Sequence, residues 1–140
     1  MPSNKNSLKN KKIQDSLLLK TAKRVFKIES DAIASLSKRL GKDFPKVVNV
    51  LNDGKGRLII TGMGKSGLIG QKIAATMSSI GLSAVYMHAA EAIHGDLGLI
   101  SQNDTIIALS NSGETDEIIK LLPTLKRLNC TLIAITGNLK

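Results

Sequence analysis

The chain has 140 residues, 20 Lys and Arg against 11 Asp and Glu, one cysteine and three aromatic rings. A chain of this length fits one domain and buries roughly 70% of its unfolded surface, so a core forms without staples. A lone Cys130 cannot close an internal disulfide. No apolar run approaches the roughly 20 residues of a spanning helix, no secretory leader is visible, and the expected setting is a reduced cytoplasm without membrane attachment.

The formal charge of +9 is local. Residues 1–27 hold eight basic side chains and one acid, which leaves +2 for everything after them. Phe26, Phe44 and Tyr86 do not interleave with basic clusters, as a stacking surface for bases requires, so no nucleic-acid partner is expected.

Residues 1–12 read as a polar, basic, disordered leader, too poor in apolar side chains to order itself. From Ile13 to Leu40, apolar residues recur at Leu18, Ala22, Val25, Ala32, Leu36 and Leu40, and Gly41 supplies a stop; the period predicts one long amphipathic helix. Its stripe covers either the domain's own core or a partner subunit. A shorter helix follows over Phe44–Leu51, then a turn at Asp53-Gly54-Lys55-Gly56.

Strand and helix then alternate. Arg57–Thr61 is a strand, Ser66–Ile80 a helix ended by Gly81, Ala84–Met87 a strand, Thr105–Leu109 a strand, Glu114–Leu128 a helix and Thr131–Thr136 a strand. Near-continuous apolar strands in this rhythm predict an α/β fold, a parallel Rossmann-like sheet in a three-layer αβα sandwich. Gly137-Asn138 opens what reads as one more strand-to-helix turn, which makes the sheet look unfinished and the C-terminal part missing.

Two of the turns carry chemistry. Gly62-Met63-Gly64-Lys65-Ser66-Gly67 joins a strand to a helix, and helix N-termini with small residues bind anions through main-chain N–H groups. The spacing matches the dinucleotide fingerprint, but the second strand offers no acid for a ribose; a P-loop would need glycine where Ile59 stands. Lys65 is placed to neutralise a phosphate or an enediolate, or it points to solvent. Ser110-Asn111-Ser112-Gly113-Glu114-Thr115 presents three hydroxyls ahead of the next helix, more than one cap needs.

These two turns, with Glu91-Ala92-Ile93-His94-Gly95-Asp96-Leu97-Gly98 between them, resemble the sugar isomerase (SIS) domain, and most nearly the bacterial arabinose 5-phosphate isomerases. The resemblance covers residues 13–140, helix 13–40 included. It departs locally at Ala89-Ala90, where relatives commonly carry Pro-Gly. It implies interconversion of ribulose 5-phosphate and arabinose 5-phosphate, a step toward an acidic sugar of lipopolysaccharide or capsule, and assembly into homo-oligomers. It implies a phosphate site at Ser110, Asn111, Ser112, Gly113 and Thr115 with Gly64 and Ser66, and a catalytic set of Lys65, His94 and Glu117. His88 and Glu91 are further possible site residues. It also implies that an active-site Glu and His contributed downstream by relatives are absent, as are the paired cystathionine-β-synthase repeats that usually follow.

An enediol route needs a base and a stabiliser of the enediolate oxygens, which Glu117, His94 and Lys65 supply by type. A helix carboxylate held by the dipole and a histidine bonded to Asp96 are the competing readings. The H-x-x-E-x-x-H run from His88 fits no metal spacing, so neither metal nor cofactor is expected. Three functions stay open: a sugar-phosphate-binding domain related to an isomerase, a non-catalytic phosphosugar module, and an inactive gene remnant.

Overall fold

The computed structural model describes the backbone of residues 3–138 and the side chains of residues 11–138. The chain divides into two compact units, Met1–Phe44 and Pro45–Lys140.

The first unit is dominated by α1, Ser3–Leu36. The helix thus begins ten residues before the expected start at Ile13 and ends at Leu36, with hydrogen-bonded turns carrying the chain to Leu40. Residues 3–12 contain neither Gly nor Pro, and lysine is a good helix former, so a helix extends through polar sequence that needs no core of its own. Leu18, Phe26, Ile33 and Leu36 are exposed in this unit.

The second unit opens with most of α2, Asp43–Asp53. There follow β1 (Leu58–Gly62), α3 (Gly64–Ser79), β2 (Ala84–His88), α4 (Ala89–Ile93), a 3-10 turn over Asp96–Leu99, β3 (Thr105–Ser110), α5 (Asp116–Arg127) and β4 (Thr131–Thr136). The strands lie in the order β2-β1-β3-β4, and every pairing is parallel. The α/β sandwich expected from the alternation is therefore present, with β4 at the predicted bounds. Two short elements go beyond the sequence pattern: α4 and the 3-10 turn fill what reads as a loop between β2 and β3, because four or five residues are too few to show a helical period.

Helices cover the sheet on both faces. Ile59, Met87, Ile106 and Ala108 pack with Ala89 and Ala92 of α4 and Ile118, Leu121 and Leu125 of α5. On the opposite face Leu58, Ile60, Ala84, Ile107 and Leu109 pack with Ala74 of α3, flanked by Leu51, Ile73 and Met77. β1 and β3 are buried along their whole length, as continuous apolar strands in a parallel sheet must be.

A polar clamp fixes the N-terminal ends of the two central strands. The Asp104 carboxylate, 3% exposed, accepts from the Arg57 amide at 2.8 Å, the Arg57 guanidinium at 3.0 Å and the Ser101 amide at 2.9 Å. The same guanidinium donates to the Leu99 carbonyl, and the Thr105 amide to that of Arg57. Gly56 is forced by this closeness, since a Cβ there would lie 2.2 Å from the Asn103 carbonyl oxygen. Burial pushes the Asp104 carboxyl up, but the amides of Ser101 and Arg57 and the guanidinium charge outweigh it and hold the group below the ordinary aspartate range.

A folded-state value below the unfolded one means that this contribution is present above the ordinary aspartate pKa and is lost as pH falls through the depressed value. Asp104→Ala should cost roughly 1–3 kcal/mol at neutral pH by stranding buried donors. In urea titrations the gap between this variant and the parent should shrink as pH is lowered below the aspartate range. A gap independent of pH would mean that packing, not charge, holds the clamp.

Candidate functional site

The strand order decides where a ligand can sit. β1 is followed by α3 on one face and then by β2 on its outer side, whereas β3 is followed by α5 on the other face and then by β4. The two chain paths part at the C-terminal ends of β1 and β3, which leaves a crevice outside the sheet at that switch point.

The glycine loop builds one wall. Gly64 has φ +51°, which glycine adopts without strain. Gly62 and Gly67 let strand and helix touch: a Cβ on Gly62 would lie 3.1 Å from the Ser66 carbonyl carbon, and one on Gly67 only 2.6 Å from Tyr86 Oη. Tyr86 is why the space is so small. Its hydroxyl donates to the Gly62 carbonyl at 2.8 Å, pinning the loop from β2, and burial raises its pKa so that it stays a donor. Gly70 continues the contact, with a Cβ position 3.1 Å from both Ile60 and the Tyr86 ring.

The loop after β3 builds the other wall. The Ser110 and Thr115 hydroxyls pair at 2.7 Å, the Gly113 amide donates to Ser110 Oγ at 3.0 Å, and the Glu114 amide donates to Ser112 Oγ at 3.1 Å. Gly113 takes φ +76° to close this turn. Thr115 stands at the N-cap of α5, yet its side chain makes no capping bond, so the first-turn amides of the helix keep their donor capacity. Against this stand three carboxylates: Glu114 ahead of the helix and Asp116 and Glu117 in its first turn. Their charge opposes a second anion at the helix tip and favours one drawn toward Lys65.

Between the walls lies an open cleft of about 360 Å³, lined by Lys65, Ser66, Ile69, Leu109, Ser110, Asn111, Ile135, Thr136 and Gly137. It joins the ammonium and hydroxyl of the first turn to the hydroxyl and amide of the second, over an apolar floor. Thr136 and Gly137 are additions to the site residues expected from the sequence. The Gly137 amide donates to the Asn111 carbonyl at 3.1 Å, which ties the end of β4 to the hydroxyl loop. A signal for them exists in the sequence, because Gly137 follows an apolar strand as Gly62 and Ser110 do.

The remaining candidates are elsewhere. His94 is exposed in the turn that follows α4, at its C-cap, and Glu91 is an exposed side chain of that short helix. Glu117 is half-buried in the first turn of α5. His88 ends β2 opposite Gly62, with its Nδ1 buried and without a partner and its ring edge-on to Tyr86. None of the four lines the cleft. Ser112, Gly113 and Glu114 face a second hollow, of about 220 Å³, between α5 and β4. Among the described residues no three His, Cys, Asp or Glu are grouped to hold a metal, and no helix is long and apolar enough to cross a membrane.

Fold and cleft together define an α/β protein with its crevice at a parallel-sheet switch point. More narrowly, the SIS domain model matches residues 51–140, and the chain belongs to that family. It is 52% identical over 118 residues to the arabinose 5-phosphate isomerase KdsD of Pseudomonas aeruginosa, and 45% identical over 125 residues to KpsF of Escherichia coli O6:H1. These matches cover 84% and 89% of this chain, but it spans only 36% and 38% of the relatives' own length. A solved Escherichia coli CFT073 protein in complex with arabinose 5-phosphate superposes with a TM-score of 0.83 at 36% identity, over 88% of this chain and 65% of that one.

The tight fit at Gly67 gives a double-mutant test. Gly67→Ala should displace the Tyr86 hydroxyl and cost about 1 kcal/mol through the lost bond to Gly62, with more from strain. Tyr86→Phe removes the obstructing oxygen, so Gly67→Ala should cost less in the Tyr86→Phe background than alone. Additive losses in chemical denaturation would show that the two side chains are not in contact.

Proposed function

We propose that the cleft binds a sugar phosphate, with a pentose 5-phosphate as the best-fitting class, and that its chemistry is that of the aldose–ketose isomerases. The observation that carries this is the convergence of Lys65, Ser66, Ser110 and Asn111 on one crevice at the β1/β3 switch point. The family membership, and the arabinose 5-phosphate complex of a relative with the same fold, support it. In this reading Ser110, Asn111, Ser112, Gly113 and Thr115 provide the phosphate cradle with Gly64 and Ser66.

Isomerisation moves a proton between C1 and C2 through an enediolate, so a base must reach both carbons and a cation must steady the oxygens. Lys65 is assigned the second task, and Glu117 and His94 the first. A second reading, binding without turnover, is favoured by one observation: neither Glu117 nor His94 lines the cleft. A cytoplasmic setting, a role in making lipopolysaccharide precursors and self-association through the exposed residues of α1 belong to the same proposal.

Calorimetry with arabinose 5-phosphate and with free arabinose tests the core of the reading. The phosphate ester should bind well and the free sugar far more weakly; equal affinities would overturn it. Ser110→Ala should weaken binding by about 1 kcal/mol, the usual worth of one hydrogen bond, and Lys65→Met by more because a charge is lost. An assay of ribulose 5-phosphate conversion then separates the two readings: turnover supports the first, and binding without turnover the second.

Self-association has its own check. Light scattering should show a discrete dimer or tetramer that Leu36→Lys dissociates, whereas a monomer at tens of micromolar would remove that part of the proposal.

A further inference from the structure

α1 carries charge of one sign along one face. Lys12, Ser16, Lys20, Lys23 and Lys27 recur at intervals of four, four, three and four residues, which an α-helix stacks into a single row. At 1.5 Å per residue the row is about 22 Å long. Lys12, Ser16, Lys20 and Lys23 line one shallow hollow, with Asp15 and Leu19 beside them. Asp15 is the one acid between Lys11 and Lys27. Lys27 is paired with Asp31 at 2.6 Å, whereas Lys12, Lys20 and Lys23 have no carboxylate partner among the described residues.

Like charges one turn apart on a helix repel, and an anionic surface laid along the row removes that cost. The neighbours of the lysines decide what kind of surface. Leu19 stands among them and is 64% exposed, and no residue lining the hollow is aromatic. A nucleic-acid strand offers an exposed leucine nothing and asks for rings on which bases stack. A bilayer interface takes both kinds of side chain: ammonium groups meet headgroup phosphates, while lysine stems and the leucine reach the acyl boundary.

We infer that the lysine row of α1 is a docking surface for a bilayer rich in anionic phospholipid headgroups. The contact is peripheral. The absence of membrane attachment expected from the sequence rests on spanning length, a criterion to which a surface row is invisible. Leu18, Val25 and Leu36 fall on the opposite side of the helix, so self-association through them leaves the row free.

Sedimentation with lipid vesicles tests this. The chain should pellet with vesicles of equal parts phosphatidylglycerol and phosphatidylcholine and stay in solution with phosphatidylcholine alone. Partitioning should fall steeply as salt rises from about 0.05 M to about 0.5 M, because exposed charges are screened. Lys20→Gln combined with Lys23→Gln should lower the partition coefficient roughly 25-fold, at about fivefold for each lysine near an anionic surface. Leu19→Ser should lower it several-fold as well. Lys55→Gln combined with Lys72→Gln removes the same charge from exposed positions of the second unit and should leave it unchanged. All five side chains are exposed, so circular dichroism should show the helices intact in every variant.

Equal partitioning onto phosphatidylcholine, none onto the anionic vesicles, or an equal loss with both lysine pairs overturns the proposal. So does a random-sequence DNA duplex that strips the chain from the vesicles at equal phosphate concentration, by making nucleic acid the preferred occupant. No sugar phosphate enters the experiment, and its outcome is independent of the calorimetric test.

Discussion

The parallel pairing of β1 with β3 is the constraint on which the rest depends. These strands are distant in sequence and adjacent in space, and their following connections leave on opposite faces of the sheet. That divergence opens the crevice, sets two helix starts beside it, and leaves one apolar core on each face. The strands are buried throughout because helices press on both sides, and that burial holds the pairing.

Polar devices secure the pair at its two ends. At the N-terminal end the Asp104 carboxylate gathers two amides and a guanidinium, making good its own desolvation. At the C-terminal end the Tyr86 hydroxyl ties β2 to β1, and glycines let α3 approach both strands. The first end is shut by charge and the second by contact of backbones. This difference suits the second end for a ligand, since amides and small side chains there keep capacity to donate.

The distribution of charge at that end bears on which ligands fit. Lys65 stands on one wall, whereas the three carboxylates at the start of α5 lie outside the lining of the cleft. An anion therefore meets attraction across the cleft and repulsion at the helix tip, and the balance selects groups that can lie between the two turns.

Much of this was legible without coordinates. Unbroken apolar runs fixed the strands and their parallel class, helical period fixed α3 and α5, and glycine and serine after strands marked both walls of the cleft, because these signals are local and follow from backbone geometry. The N-terminal extent of α1 was not legible, since a polar segment without breakers reads equally as helix or coil; nor was α4, too short for any period. Only the tertiary structure gave the strand order, and hence which turns meet. It alone set Tyr86 against Gly67, brought Thr136 and Gly137 to the cleft, and left His94 and Glu117 off its lining. Those are facts of distance between parts far apart in the chain, and side-chain pattern along a sequence does not encode distance.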